Sequence, residues 1–405
     1  MNFPLFVAKR IQKPDKATFS ATVSRVGIIT IALGVAVGIV ALAVLLGFKN
    51  TISQKVFLFG SHIQVSKLSL NTSFEEPPIP LHTSVYDQWQ QVEGLRHRQA
   101  VAHKAGILKT PDELQGIVLK GVGRDFDWAL LQESMVEGRK ITFSDTADAK
   151  ELIISKVIAN KMALRLNDEV LLYFVQQPPR VRKLKIVGIY ETNLEEFDNQ
   201  LVLGDIALVQ KLNGWGRDSV GSYEYFVKDF EQLEPVSKNL YARLPNDLRM
   251  ERVTERFRAV FEWLKLLDTN TAILLVLIFF VTAFNIASVL LVMMMERTPM
   301  VGLLKTLGSP NRQIRRVFFY VGMQLAIKGL VIGNVVGLGI CWLQQRLEII
   351  PLDPVNYFMD TVPITFDWVS VLLLNTGTLT LIALVLLIPT LIVARISPLR
   401  ALTSK

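Results

Sequence analysis

Residues 293–319 read MMMERTPMVGLLKTLGSPNRQIRRVFF, and they join the end of one long apolar run to the start of another. Half of the 405 residues are hydrophobic and the mean hydropathy is +0.35, which is more apolar than soluble domains usually are. About 20 apolar residues suffice to cross a bilayer as a helix. Four runs are that long: residues 26–48, 272–295, 317–343 and 368–394. The quoted stretch therefore predicts a short connection that leaves a membrane and re-enters it at once.

The distribution of basic residues predicts the orientation of these spans. Lys and Arg number five in residues 1–25, five in 296–316 and three in 395–405, but only one in 344–367. Basic residues next to spans stay in the cytoplasm. We therefore expect a cytoplasmic amphipathic segment at 1–25, a cytoplasmic loop at 296–316 and a cytoplasmic tail at 395–405. The loop 344–367 and the long insert 49–271 are expected on the other side. The net charge of +8 then reflects topology and contact with anionic lipid, and nucleic-acid binding is not expected.

The insert at 49–271 has the pattern of a mixed α/β domain. Alternating or β-rich stretches predict strands at 62–68, 99–108, 116–123, 169–175 and 182–190. Helical spacing of apolar residues predicts a helix at 155–166, and a charged amphipathic helix is predicted from about Asn246 into the second run. The only cysteine, Cys341, lies in the third run, so the insert must fold without a disulfide.

The sequence lacks the usual signatures of an enzyme. No G-x-x-x-x-G-K-[ST] phosphate loop is present, so ATP is not bound by that route. The four histidines are scattered without metal-ligand spacing, and no nucleophile, base and acid can be assembled. We predict no catalytic residues, no metal and no cofactor on this chain.

Two glycine patterns predict close helix packing in the membrane. Gly329, Gly333 and Gly337 repeat every four residues in the third run, and Gly34 and Gly38 do so in the first. Small residues at this spacing form a smooth stripe that a second helix can approach closely.

Two polar residues stand inside the apolar runs. Lys328 lies near the middle of the third run and Asn285 lies in the second. A charge at this depth is costly against lipid, so Lys328 marks either a functional polar site or a residue that snorkels or meets a structural partner. Asn285 fits an interhelical hydrogen bond or a place in the same polar site.

The connection between the second and third runs predicts a helix of two to three turns. Gly308 is a natural helix stop, and Ser309 and Pro310 are suited to begin the next helix. A helix this short is not stable alone, so it needs a membrane surface or a protein cleft to bury its apolar stripe. That stripe consists of Met300, Val301, Leu303, Leu304 and Leu307.

The region from the second run to the third matches a known family pattern. Residues 280–343, from FVTAFNIASVLL to GICWL, resemble the FtsX-like permeases of the type VII ABC transporters, and most closely the lipoprotein-releasing LolC/LolE subunits. The similar features are AFNI, the Glu-Arg pair, LLKTLG, S-P-x-x-x-I and the glycine-rich third run. Residues 27–50, 153–174 and 394–402 resemble the family's first span, periplasmic strand–helix–turn and closing pattern. The resemblance implies four transmembrane helices and a MacB-like α+β periplasmic core between the first two.

The resemblance also implies a mechanism and a set of partners. Two permease subunits, of the same or a homologous chain, would form the membrane unit above two copies of a separate ATPase that binds ATP and Mg²⁺. The short helix 297–308 would be a coupling helix in the ATPase cleft. Closure of the ATPase would move the periplasmic domains and expel a lipoprotein held by the first two spans, toward a periplasmic carrier. The coupling residues would be Glu296, Arg297, Val301, Leu303, Leu304, Lys305, Leu307 and Gly308.

The chain departs from the family pattern in places, and other functions share the fold. Asn167 replaces a usual glycine after the periplasmic helix, and we expect it to adopt a left-handed conformation. Only QQPPRV separates two predicted strands where the carrier-recruiting subunit has a long hairpin, so recruitment by such a hairpin is not expected. The alternatives are an efflux permease for drugs or peptides and an FtsX-like regulator of cell-wall hydrolases.

Overall fold

The computed structural model describes residues 4, 6–8, 19–69, 76–111, 113–144 and 148–393. It forms two compact units. The helical unit contains Met1–Asn50, Trp263–Leu352 and Thr361–Lys405, and the sheet domain contains Thr51–Glu262 with Asp353–Asp360.

Four long helices contain the four apolar runs. They are α1 (Phe19–Gly60), α9 (Arg258–Glu296), α11 (Asn311–Leu347) and α13 (Trp368–Val393). Each is long and apolar enough to cross a membrane. The short helix α10 (Thr298–Thr306) lies between α9 and α11. The remaining helices are α2 (Ser84–Asp87), α3 (Trp128–Gln132), α4 (Lys156–Lys161), α5 (Glu195–Asp198), α6 (Ile206–Asn213), α7 (Leu233–Tyr241), α8 (Val253–Arg256) and α12 (Pro354–Tyr357).

The helical unit buries one continuous apolar core. Residues from every long helix contribute to it, among them Ile31, Leu290, Val321 and Leu386. At the N-terminus, residues 6–8 are helical and Ala8 is buried in the same core. Most of the amphipathic segment predicted at 1–25, including all its lysines, lies outside the described residues.

The sheet domain is built on a ten-stranded sheet with the order β12-β1-β11-β3-β4-β9-β6-β8-β5, in which β7 pairs with β3 and β8. A second sheet pairs β2 with β10. The strands are β1 (Ile63–Lys67), β2 (Ile79–Pro80), β3 (Leu95–Lys109), β4 (Leu114–Val122), β5 (Met135–Gly138), β6 (Glu151–Ser155), β7 (Glu169–Phe174), β8 (Arg180–Tyr190), β9 (Leu201–Asp205), β10 (Ser219–Val220), β11 (Ser222–Val227) and β12 (Leu248–Arg252).

The sheet is mostly antiparallel, with parallel pairs β4–β9 and β6–β8. Helices α4 and α6 bury Ile158, Leu208 and Val209 in a core with the sheet. This architecture confirms the predicted fold class: four candidate membrane helices with a large α+β domain inserted between the first and second.

All five strands predicted in the insert are present. Asn167 has a φ of 73°, which confirms the expected left-handed conformation. Between β7 and β8 only residues 175–179 intervene, so the hairpin is short.

Two predicted details are wrong. The helix expected from about Asn246 begins later, because Leu248–Arg252 forms β12 and pairs with β1, and Phe257 breaks the helical backbone between α8 and α9. Helix α11 begins at Asn311 with Pro310 as its N-cap, one residue beyond the predicted start at Ser309 and Pro310.

Candidate functional site

Helix α10 is capped at both ends. Arg297 is its N-cap residue and Pro299 lies in its first turn, where proline is tolerated because the first N–H groups have no helical partner. At the other end Gly308 has a φ of +89°. The N–H of Ser309 donates to Leu304 O at 2.9 Å and that of Gly308 to Lys305 O at 3.0 Å, which is the Schellman arrangement. The predicted stop at Gly308 is confirmed.

The inner side of α10 packs on the helices that flank it. Val301 has no exposed surface and lies in a cluster with Met294, Ile314 and Phe318. Its side chain is enclosed by α9 and α11, and its predicted role in coupling to an ATPase stays a prediction. Val301 anchors the short helix.

The outer side of α10 is apolar and uncovered. Leu303 is 55% exposed and Leu307 is 75% exposed, and they lie one helical turn apart. Leu304 and Lys305 are half-buried, while Glu296 at the end of α9 is exposed. The apolar stripe predicted from the sequence is thus divided into a buried side that anchors the helix and an outer side on which Leu303 and Leu307 are exposed.

Arg297 has an unusual environment. Its Nε atom is buried without a hydrogen-bond partner in the part of the chain that the structure describes. A buried polar atom without a partner is costly, so such atoms call for a further ligand or contact.

The three glycines of α11 are the points at which it contacts α1. A Cβ atom at Gly329 would lie 2.7 Å from Ile31 Cβ, and one at Gly333 would lie 2.7 Å from Ala32 O. One at Gly337 would lie 3.0 Å from Ala36 Cα. Distances below 3.4 Å leave almost no space for a side chain, so glycine is what allows the two helices to approach this closely.

The two glycines of α1 lie against other helices. A Cβ at Gly34 would meet Thr282 Oγ1 on α9 at 2.7 Å, and one at Gly38 would meet Leu374 on α13 at 3.2 Å. The two stripes therefore do not pack on each other, although the sequence pattern is the same in both.

The two residues of the predicted intramembrane polar site lie on different helices. Lys328 is on the exposed side of α11 and Asn285 is half-buried on α9, and their role stays a prediction. The amides that do pair are Asn334 on α11 and Asn375 on α13. Each donates to the other, at 2.6 and 2.9 Å.

The sheet domain holds a polar cluster that the sequence analysis did not single out. Lys120 and Glu224 form a fully buried ion pair at 2.7 Å. The available signal was a lone lysine in the apolar strand GIVLKGVG and a lone acid in SYEYFV. Within the described ranges, no group of three or more His, Cys, Asp or Glu side chains could hold a metal.

Comparison with known families assigns both units. The FtsX-like permease C-terminal domain matches residues 272–398, and the MacB-like periplasmic core domain matches residues 28–260, more than half of the chain. The chain belongs to the FtsX-like permeases with a MacB-like periplasmic core domain. The resemblance seen in the sequence is confirmed.

Curated relatives agree with this assignment over the whole length. The chain is 24% identical to the lipoprotein-releasing system transmembrane protein LolE of Haemophilus influenzae, with all of both chains covered. It is 24% identical to LolC of Xylella fastidiosa, with 98% of each covered. The periplasmic region of MacB from Actinobacillus actinomycetemcomitans aligns with 49% of the chain and 92% of that structure, at 12% identity and a TM-score of 0.35.

These findings fix the broad class of the protein. It is a multi-pass inner-membrane protein with a periplasmic domain, and it is a permease similar to LolC and LolE. Such permeases are the non-catalytic membrane subunits of ABC transporters and work with an ATPase.

Proposed function

We propose that this permease extracts lipoproteins from the inner membrane and releases them toward a periplasmic carrier bound for the outer membrane. Two permease chains, identical or homologous, would assemble with two copies of an ATPase that binds ATP and Mg²⁺. Both termini and α10 would lie in the cytoplasm, as the bias of basic residues favours. The likeness to LolE and LolC over the full length supports this substrate class.

The observation that carries the proposal is the divided face of α10. Val301 anchors the helix, which frees Leu303 and Leu307 to enter a cleft on a partner. A nine-residue helix that, with its C-cap Leu307, presents two exposed leucines one turn apart fits the groove-docking mode of recognition. Arg297, with its unpartnered Nε, lies at the start of the same helix.

The exposed surfaces of α1 and α9 support the transport role. Ile29 and Leu33 on α1 are 64% and 63% exposed, and Phe280 and Phe284 on α9 are 70% and 67% exposed. Within a membrane these apolar surfaces suit contact with lipid chains or with a second permease. The acyl chains of a lipoprotein would occupy a cavity formed by these helices.

The first experiment tests the coupling role. Leu303→Asp combined with Leu307→Asp adds two charges to an exposed surface, so insertion and folding should persist. Charges in an interface core weaken binding by about 2 kcal/mol or more, which corresponds to about 30-fold. We expect the variant to insert normally and to lose the ATPase on co-purification.

Val175→Asp is the matched control, because Val175 is 79% exposed and lies in the β7–β8 hairpin. It should retain the ATPase. Normal ATPase recovery with the double variant would contradict the coupling role of α10.

The second experiment tests the substrate class. Depletion of the permease in its host, followed by fractionation of the membranes, should leave outer-membrane lipoproteins in the inner membrane. Normal lipoprotein sorting with changed drug tolerance would favour the efflux permease. Normal sorting with a division defect would favour regulation of cell-wall hydrolases.

A further inference from the structure

A charged pair lies inside the sheet domain, on one face of the large sheet. Lys120 on β4 and Glu224 on β11 have no exposed surface, and Lys120 Nζ lies 2.7 Å from Glu224 Oε1. The other carboxylate oxygen accepts a hydrogen bond from Gln99 Nε2 at 2.6 Å, and Gln99 Oε1 accepts one from the N–H of Asp127 at 2.9 Å. Burial lowers the pKa of the Lys120 ammonium, and the Glu224 carboxylate opposes this shift.

The lysine has a second partner at the end of α1. Lys120 Nζ donates to the carbonyl oxygen of Phe59 at 2.9 Å, and Phe59 lies in the last turn of the helix. The last four carbonyl groups of a helix have no helical partner and carry its partial negative charge. Lys120 therefore supplies this helix end with both a hydrogen bond and a complementary charge.

A second set of buried polar groups lies beside the pair. Glu76 accepts hydrogen bonds from Gln64 Nε2 at 2.9 Å and from Ser222 Oγ at 3.1 Å, and its other oxygen lies 3.2 Å from His103 Nδ1. Burial would raise the pKa of Glu76, but the charge of His103 and its hydrogen bond hold that pKa below its usual value.

This second set is linked to the helix that precedes α9. The guanidinium of Arg256, the last residue of α8, donates to Gln64 Oε1. Gln64 faces Glu224 across the β1–β11 pair, so both sets lie on the same face of the sheet. The face thus holds polar contacts to the end of α1 and to the segment just before α9.

These helix ends also make aromatic contacts. The ring of Phe57 stacks on that of Phe261 at 6.4 Å, and the ring of Phe59 lies 5.0 Å from that of Tyr190. Apolar packing of this kind is not directional. A buried ion pair is costly to desolvate, and apolar residues of similar size often stabilise a fold equally well. Apolar residues, however, cannot form a hydrogen bond that holds the Phe59 carbonyl in one fixed geometry.

We propose that Lys120 and Glu224 are positioning residues that hold the last turn of α1 on the sheet, so that movement of this helix is transmitted to the periplasmic domain. Helix α1 contains the first span and continues without interruption to Gly60. The transport readout of this proposal rests on the proposed function, and the exchange readout below does not.

The test replaces both charges at once, so that no single charge is left buried. Lys120→Met with Glu224→Gln keeps side-chain size and lets residue 224 still hydrogen-bond Gln99. The matched control is Lys183→Met with Glu169→Gln, an exposed pair at 2.5 Å in the same domain. Each variant is purified with its ATPase, reconstituted in proteoliposomes and assayed for ATP hydrolysis and for lipoprotein release.

We expect the buried-pair variant to hydrolyse ATP normally and to release about tenfold less lipoprotein per ATP, within the usual range of coupling between sites. Amide exchange at residues 57–61 should become faster while exchange in β3 and β4 stays unchanged. The control should match the wild type in both measurements.

Each other outcome has a distinct meaning. Unchanged exchange at residues 57–61 would overturn the positioning role, whatever the substrate proves to be. Unchanged release per ATP in a variant that folds would also overturn it. A wild-type complex that releases no lipoprotein would count against the proposed function, and the exchange result would still decide the role of the pair. If neither the double variant nor Glu224→Gln alone folds, the pair serves stability and the proposal is wrong.

Discussion

Replacing Gly333 by alanine would put a methyl group at a point of close approach between α11 and α1. The added Cβ would lie 2.7 Å from Ala32 O, 2.8 Å from Val35 Cβ and 3.1 Å from Ala32 Cα. Ordinary contacts begin at 3.4 Å, so the first of these atoms is 0.7 Å too close. Two of the three atoms belong to the backbone of α1, and they can move only if the helix itself shifts.

The expected loss of stability follows from two opposing effects. Overpacking costs about 1–3 kcal/mol, and backbone contacts favour the upper end of that range. Alanine recovers about 1 kcal/mol because it favours the helical conformation over glycine. The net loss is about 2 kcal/mol, which corresponds to about a 30-fold rise in the population of the opened helix bundle.

The chain contains its own probe for this opening. Cys341 is the only cysteine, and it is fully buried on α11 in the core that also contains Ile31 and Val35. Its reaction with a maleimide in detergent requires the bundle to open, so the labelling rate follows the opened population. We expect labelling to be about 30-fold faster in Gly333→Ala.

Gly339→Ala provides the control on the same helix, because no described atom outside the adjoining backbone of α11 lies within 4 Å of the added Cβ. This variant should label at the wild-type rate or more slowly. Equal labelling rates for the two variants would refute the argument that the glycine stripe sets the distance between α1 and α11.

Two further predictions concern buried polar groups. Burial lowers the pKa of His62 to about 4, so the folded protein binds fewer protons than the unfolded chain below about pH 6.5. Stability is therefore full above pH 6.5 and falls as the pH drops toward 4, by about 2 kcal/mol at pH 5. His62→Asn, which keeps an acceptor for the N–H of Val227, should remove this part of the pH dependence of the melting temperature, while the exposed His82→Asn should keep it. Asn375→Leu should destabilise the helical unit by about 1 kcal/mol, because Asn334 loses both of its hydrogen bonds to Asn375.

The outcomes that would contradict these two predictions are specific. For the histidine, the contradicting result is a difference in melting temperature between His62→Asn and the wild type that is the same at pH 8 and at pH 5. For the amide pair, Asn334→Leu combined with Asn375→Leu should recover stability relative to Asn375→Leu alone, since neither position then holds an amide that lacks the other. A double variant that is less stable than the single one would contradict the pairing argument.

The sequence contained enough information for the architecture and for the family. The four apolar runs predicted the four candidate membrane helices, because length and hydropathy alone decide whether a helix suits a bilayer. The five strand predictions in the insert were correct because alternating apolar and polar residues indicate a strand with one buried face. Gly308 and Asn167 were correctly placed because a left-handed backbone restricts which residues fit. The roles of the coupling residues and the direction of the termini stay predictions.

Other details depended on contacts between distant parts of the chain. Residues Leu248–Arg252 became a strand because β1 offered an unpaired edge, and a local helical pattern contains no information about that edge. The stripe on α10 was read as one surface, but packing by Ile314 and Phe318 divides it and buries Val301.

By itself, the sequence determined which segments are apolar and which backbone positions are special, because hydrophobic period and glycine spacing are local properties. Only the tertiary structure decided which surfaces meet. It paired Gly329, Gly333 and Gly337 with α1, placed Gly34 and Gly38 against α9 and α13, and joined Lys120 to Glu224 and to the end of α1. The physical reason is that burial is encoded by the period of one segment, whereas the identity of the partner depends on the shape and charge of every other segment at once.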